Sequence, residues 1–177
     1  RSWLSQPEAS LTFSVLWRFS LPLSRLSGLS LAVGLALARA LEKLGGKGVA
    51  LKWPNDVLLV DGEHFAKLAG ILIELSSDRR GAQAVIGIGL NLSVPAGDTG
   101  QPVAGLSQAC EARPERHQVL AAILAELAEV LSIFADAGFA GVKDDWVRYH
   151  AWQGLPVQIL DDGFAALRGR CLGVDDE

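Results

Sequence analysis

Residues 11 to 19 alternate, with Leu11, Phe13, Val15, Trp17 and Phe19 on one side and Thr12, Ser14, Leu16 and Arg18 on the other. That is the period of a half-buried strand. Pro22 breaks the pattern, Ser24 or Ser27 can cap, and residues 26–44 then read as an Ala/Leu-rich helix ending at Gly45-Gly46. Its nearly all-round apolar character predicts burial against a sheet. Strands are predicted at 49–53, 57–60, 67–75 and 84–92, with Asp61-Gly62 and Arg80-Gly81 as turns. Consecutive strands with short links point to a largely antiparallel arrangement rather than βαβ repeats.

Pro114 stands where a first helical residue belongs, and Val119, Leu120, Ile123, Leu124, Leu127, Val130, Leu131 and Phe134 then recur at helical spacing up to Gly138. A second helix is predicted at 142–152, and 155–160 and 164–172 read as a hairpin around Asp161-Asp162-Gly163. A two-stranded hairpin is marginal alone, so the chain is expected to be cut at its end. The expected architecture is α+β: a mixed, mainly antiparallel sheet packed with helices over residues 1–152, and a truncated β segment over 153–177.

Half of the 177 residues are apolar and 20% are charged, which allows a sizeable core. Net charge is −4 and the Lys and Arg residues are scattered, so no nucleic-acid-binding stripe is expected. Cys110 and Cys171 show no Cys-x-x-Cys spacing, which favours free thiols in a reducing cytoplasm. The uncharged run between Arg25 and Arg39 is 13 residues long, short of the roughly 20 that span a membrane. The first residue is Arg and no Met occurs, which adds to the expectation of a fragment.

Lys52-Trp53-Pro54-Asn55-Asp56 gathers three polar heads around a proline-induced bend, either as a site or as a self-capped turn. Lys67 begins a strand whose alternation places it with Ala69, Ile71, Ile73 and Leu75. It reads either as a snorkelling lysine or as a cation aimed at an anionic substrate. Gly70 marks a close approach or a bulge. Gly87, Gly89 and Asn91 share one strand face, which suits either the floor of a flat ligand or close helix packing. His64, His117 and His150 have no zinc-ligand spacing. Serine-hydrolase elbows and Walker loops are absent.

Together, Lys52-Trp53-Pro54-Asn55-Asp56, Lys67-Leu68-Ala69-Gly70-Ile71-Leu72-Ile73-Glu74 and Gly87-Ile88-Gly89-Leu90-Asn91 resemble, in order and spacing, the catalytic core of bacterial biotin–protein ligases. Arg1-Ser2-Trp3 followed by Leu11-Thr12-Phe13-Ser14 resembles the segment after that family's Gly-Arg-Gly-Arg-Arg-Gly loop. Residues 154–177 resemble the start of its SH3-like C-terminal domain. The resemblance implies ATP-dependent formation of biotinoyl-AMP, with Mg²⁺ accompanying ATP, and transfer of biotin to a lysine of a biotin carboxyl carrier protein. It implies that Lys67 contacts the biotin carboxyl and the adenylate linkage, where a fixed cation stabilises developing charge. Asp56 is implied as a catalytic partner for Mg²⁺ or the incoming amine, and Gly70 as lining biotin. Arg1, Trp3, Asn55 and Asn91 are implied beside the adenylate.

The stretch Gly62 to Ala66 looks longer than the family's usual link before the lysine. The Gly/Arg-rich loop and the upstream biotin-holding positions are absent, so the 177-residue chain alone is expected not to form biotinoyl-AMP at a useful rate. A cytoplasmic location and a homodimer formed by sheet extension are also expected. The alternatives are a lipoate or octanoate transferase of the same fold, and a non-catalytic binding or dimerisation remnant.

Overall fold

The structure is a computed structural model that describes residues 8–97, 99–161 and 164–175. Five strands run in the spatial order β1-β5-β4-β3-β2. They are β1 (Ser10–Phe19), β2 (Val49–Lys52), β3 (Asp56–Asp61), β4 (His64–Asp78) and β5 (Gly81–Asn91). Neighbouring strands pair antiparallel throughout, because links as short as Gly62-Glu63 and Arg79-Arg80 leave no room for a parallel crossover. The sheet expected to be mixed has, among the described residues, parallel pairing only at two isolated bridges, Leu51 with His150 and Lys67 with Val103.

Alternation sets the two faces of this sheet. Ala82, Ala84, Ile86, Ile88 and Leu90 of β5 are buried beneath α1 (Leu29–Lys43) and α3 (Arg116–Ala137). Eleven of the fifteen residues of α1 are buried, which is why it reads as apolar all round: it has the sheet on one side and α3 on the other. α3 buries a single stripe, Val119, Ile123, Leu127, Val130, Leu131 and Phe134. By length and composition α3 could cross a membrane, but that stripe is spent on α1 and β1. The opposite face of the sheet carries Thr12, Ser14 and Arg18, together with the exposed Leu16, Leu72 and Val85. We call it the open face.

Helix ends depart from the expectations for local reasons. α1 starts at Leu29, after a 3₁₀ turn at Leu23–Arg25, and neither Ser24 nor Ser27 caps it. Gly28 does so at φ 77°, and a Cβ there would lie 2.7 Å from Phe139 Cβ. α3 starts at Arg116 rather than Pro114, because the Glu115 amide donates to Gln118 Oε1 at 3.0 Å and fixes the boundary there. A short helix, α2 (Leu106–Ala109), precedes it. α4 (Lys143–Tyr149) stops short of residue 152 since His150 turns out to bridge Leu51. The hairpin forms as β6 (Pro156–Asp161) and β7 (Phe164–Arg170), with Asp162 and Gly163 outside the described residues. Cys171 lies beyond β7 rather than within it, and both cysteines are free.

Polar ties join α1 to both α3 and α4. Arg39 pairs with Asp145, Lys43 with Glu126, and the Tyr149 hydroxyl donates to Glu42. Burial first, then the Glu42 bond, pushes Tyr149 up to about 12. Because the folded value exceeds the unfolded one of roughly 10, this contribution to stability is complete below about pH 10 and is lost as pH rises toward 12. Tyr149 is the only tyrosine in the chain, so a 295 nm titration reads it alone. A midpoint near 12 is expected; a midpoint near 10 would mean that the hydroxyl is neither buried nor bonded to Glu42.

Candidate active site

The site is organised by an irregularity in β4. Val57 pairs with Ala69, but the next residue of β3, Leu58, pairs with Lys67, leaving Leu68 as an extra residue. Such a β-bulge reverses the side on which the following residues point. Lys67 is therefore not on the core face with Ala69 and Ile71, as simple alternation predicts. It lies on the open face with Asp56, and its Nζ is 2.5 Å from Asp56 Oδ1. The bulge falls two residues before Gly70, not at it. The stretch 62–66 is no long link either: only Gly62-Glu63 turns, and His64, Phe65 and Ala66 already belong to β4.

Asp56 is 7% exposed, and no other group bonds its Oδ1 among the described residues. Among the described residues the Lys67 ammonium balances this buried carboxylate, whose charge would otherwise be costly. Asn55 is committed to holding the turn, with Nδ2 donating to Ile71 O at 2.8 Å and its own carbonyl accepting from Ile71 N at 3.0 Å. Ser30 of α1 donates to Pro54 O at 2.6 Å, so the Lys52–Asp56 turn is tied to both the helix and the central strand. The Trp53–Pro54 peptide is cis.

A second support comes from the segment after β5. β5 pairs with β4 only as far as Ala69, and beyond that point the strap 102–104 takes its place. Lys67 N donates to Pro102 O and Ala104 N to Lys67 O, both at 2.9 Å. Asn91, 2% exposed, donates through Nδ2 to Ala104 O at 3.0 Å. Its Oδ1 is buried and has no partner among the described residues. Asn91 thus clips the strap down and leaves one acceptor for a donor from elsewhere.

Gly70, Gly87 and Gly89 complete the open face: Gly70 opposes both Asp56 and Gly89, and Gly87 opposes Ser14 and Leu72. The predicted glycine face therefore lies away from the helices, which favours a floor over helix packing. The structure brings Lys67, Asp56, Asn55, Gly70 and Asn91 together; Arg1 and Trp3 lie outside the described residues. Sequence reasoning missed the strap, and it gave no role to Lys52, the register partner of Asp56, although Lys52 opens the motif. A groove of about 600 Å³ lies elsewhere, between Trp17–Leu21 and α3, and holds none of these residues. Among the described residues no three His, Cys, Asp or Glu side chains cluster to hold a metal. Asp56 offers a single hard carboxylate, which suits a Mg²⁺ ion carried in by phosphates rather than a protein cage.

A five-stranded antiparallel sheet backed by helices gives the α+β class, and comparison with known proteins gives the family. Residues 1–91 match the biotin/lipoate A/B protein ligase family, and the chain belongs to it. It is 33% identical over 180 residues to the bifunctional ligase/repressor BirA of Escherichia coli, covering all of this chain and 54% of that protein. It is 36% identical over 162 residues to a biotin–[acetyl-CoA-carboxylase] ligase of Paracoccus denitrificans, covering 84% of this chain and 63% of the relative. The biotin protein ligase of Aquifex aeolicus in complex with biotin and ATP superposes with a TM-score of 0.79 at 29% identity, covering 99% of this chain and 72% of that one. The chain thus spans about half the length of the BirA relative.

Proposed function

We propose that this chain is the larger part of a ligase that activates biotin with ATP and transfers it to a lysine of a biotin carboxyl carrier protein in the cytoplasm. The observation that carries the reading is the Lys67–Asp56 pair, at 2.5 Å on the glycine-floored face. In the first step a biotin carboxylate oxygen bonds to the α-phosphorus of ATP as the bond to the β-phosphate bridging oxygen breaks, releasing pyrophosphate. In the second the carrier amine bonds to the acyl carbon, AMP leaves, and the amine gives up a proton. Lys67 stabilises charge on the carboxylate and phosphate oxygens without having to reorganise. Asp56 holds Lys67 in place and offers its carboxylate to Mg²⁺ of the nucleotide or to the incoming amine.

Gly70 leaves room for biotin beside Lys67. The orphan acceptor Asn91 Oδ1 suits an amine or hydroxyl donor of the adenylate, and Asn55 shapes the turn that lines it. Arg1 and Trp3 belong to the same adenylate subsite in this reading. Residues 1–152 are read as part of the catalytic domain and 153–177 as the start of an SH3-like domain, since β6 and β7 pair only with each other. β1 is an outer strand of the sheet, the position from which a homodimer by sheet extension would form. The test is ATP–pyrophosphate exchange by the natural full-length protein with biotin or lipoate supplied. Exchange that requires biotin supports the reading. Exchange with lipoate alone moves the chain to the lipoate branch, and none with either leaves a binding remnant.

A further inference from the structure

Lys52 has no role in the function proposed above, yet its placement gives it one. Opposed residues of an antiparallel pair share a face, so Lys52, paired with Asp56, leaves the sheet on the open face about 5 Å away, one strand over. Leu51 beside it takes the other face, toward Gly34 of α1. Asp56 is nevertheless bonded to Lys67. The Lys52 ammonium instead lies 5.7 Å from the centroid of the Trp152 ring, within cation–π reach.

Trp152 is itself fixed on that face. Its ring stacks on Phe65 with centroids 5.3 Å apart and planes 17° apart, and Phe65 lies on β4 two residues before Lys67. The backbone beside it is tied to the edge of β2 by Ala151 N donating to Leu51 O at 2.9 Å, and to the end of the hairpin by Gly154 N donating to Cys171 O at 2.8 Å. One indole therefore bridges Lys52 of β2 and Phe65 of β4 next to the lysine–carboxylate pair.

Among the described residues, Lys52, Lys67 and Asp56 bring two cations and one carboxylate to this corner. A cation resting on an aromatic ring keeps its full charge for an arriving anion, whereas one paired with Asp56 would be neutralised and would compete with Lys67. We propose that Trp152 is a positioning residue which keeps Lys52 off Asp56 and presents it as a second cation to the triphosphate of ATP. This rests on the ligase reading above.

The experiment measures KM and kcat of biotin-dependent ATP–pyrophosphate exchange in the natural full-length protein carrying Lys52→Gln, Trp152→Ala, Trp152→Phe, and the first two combined. Lys52→Gln is expected to raise KM for ATP on the order of tenfold, the loss of one charge-assisted contact. Trp152→Ala should raise it several-fold, with kcat and KM for biotin within about twofold in both. Trp152→Phe should restore ATP affinity, and the double variant should be no worse than Lys52→Gln, since Trp152 acts through Lys52. The proposal is overturned by an unchanged KM for ATP in Lys52→Gln, by additivity in the double variant, or by a Trp152→Ala loss spread over kcat and biotin. Should Trp152→Ala fail to fold, the Lys52→Gln and Trp152→Phe pair decides. Wild-type protein without biotin-dependent exchange would overturn the ligase reading itself, and this inference with it.

Discussion

Lys67→Ala in the natural full-length protein is expected to lower biotin-dependent pyrophosphate exchange by about 10²–10³-fold, the scale set by losing one preorganised charge-stabilising group. It should also cost stability. Asp56 and Lys67 have side chains 7% and 15% exposed, so removing the ammonium strands a buried carboxylate at a cost of about 3–5 kcal/mol. The two losses separate in the double variant Lys67→Ala with Asp56→Asn. Thermal denaturation should recover much of its midpoint, because the uncompensated charge is gone, while exchange stays at the level of the single variant. Lys67→Arg should recover the midpoint better than the rate, since a planar fork does not reproduce a point charge at 2.5 Å. Exchange near the wild-type rate in Lys67→Ala would remove Lys67 from the mechanism.

The parts of the fold that alternation and helical period encode were legible: β1, β5, α1 and α3 lie where their apolar spacing puts them, with ends shifted by a few residues. The family motif was legible too, because Lys52–Asp56, Lys67–Glu74 and Gly87–Asn91 are contiguous segments. What escaped was geometry that no local pattern marks. Lys67-Leu68-Ala69-Gly70 reads as plain alternation, and only pairing with β3 reveals that Leu68 is extra and that Lys67 faces Asp56. Leu68 and Ala69 are both fully buried, so two adjacent small or apolar residues after the lysine were the one available hint. The strap 102–104 bonds through its backbone and has no side-chain period to betray it. Trp152 fell at the predicted end of a helix, whereas its contacts with Phe65 and Lys52 depend on the chain leaving that helix at His150.

The strap makes the second large prediction, at a residue that touches no substrate. Gly105 has φ −117°, open to any residue, so its constraint is space alone. A Cβ there would lie 2.4 Å from Ser93 C, 2.5 Å from Ser93 Cα and 2.6 Å from Val94 N. These are backbone atoms that cannot swing aside, so Gly105→Ala must push the strap outward by about 1 Å to restore contact distances. The strap ends at Ala104, whose amide and carbonyl hold Lys67 O and Asn91 Nδ2. Overpacking of this kind is expected to cost about 1–3 kcal/mol. It should also speed hydrogen exchange at the Lys67 and Ala104 amides ahead of the rest of β4. Biotin-dependent turnover should fall with it, because a shift of about 1 Å in a positioned group can cost on the order of a hundredfold. Gly169→Ala is the matched control, since nothing lies within 4 Å of a Cβ there, and it should leave both amides and turnover unchanged. If Gly105→Ala destabilises the protein while Lys67 stays protected and turnover holds, the strap packs the fold without positioning the lysine.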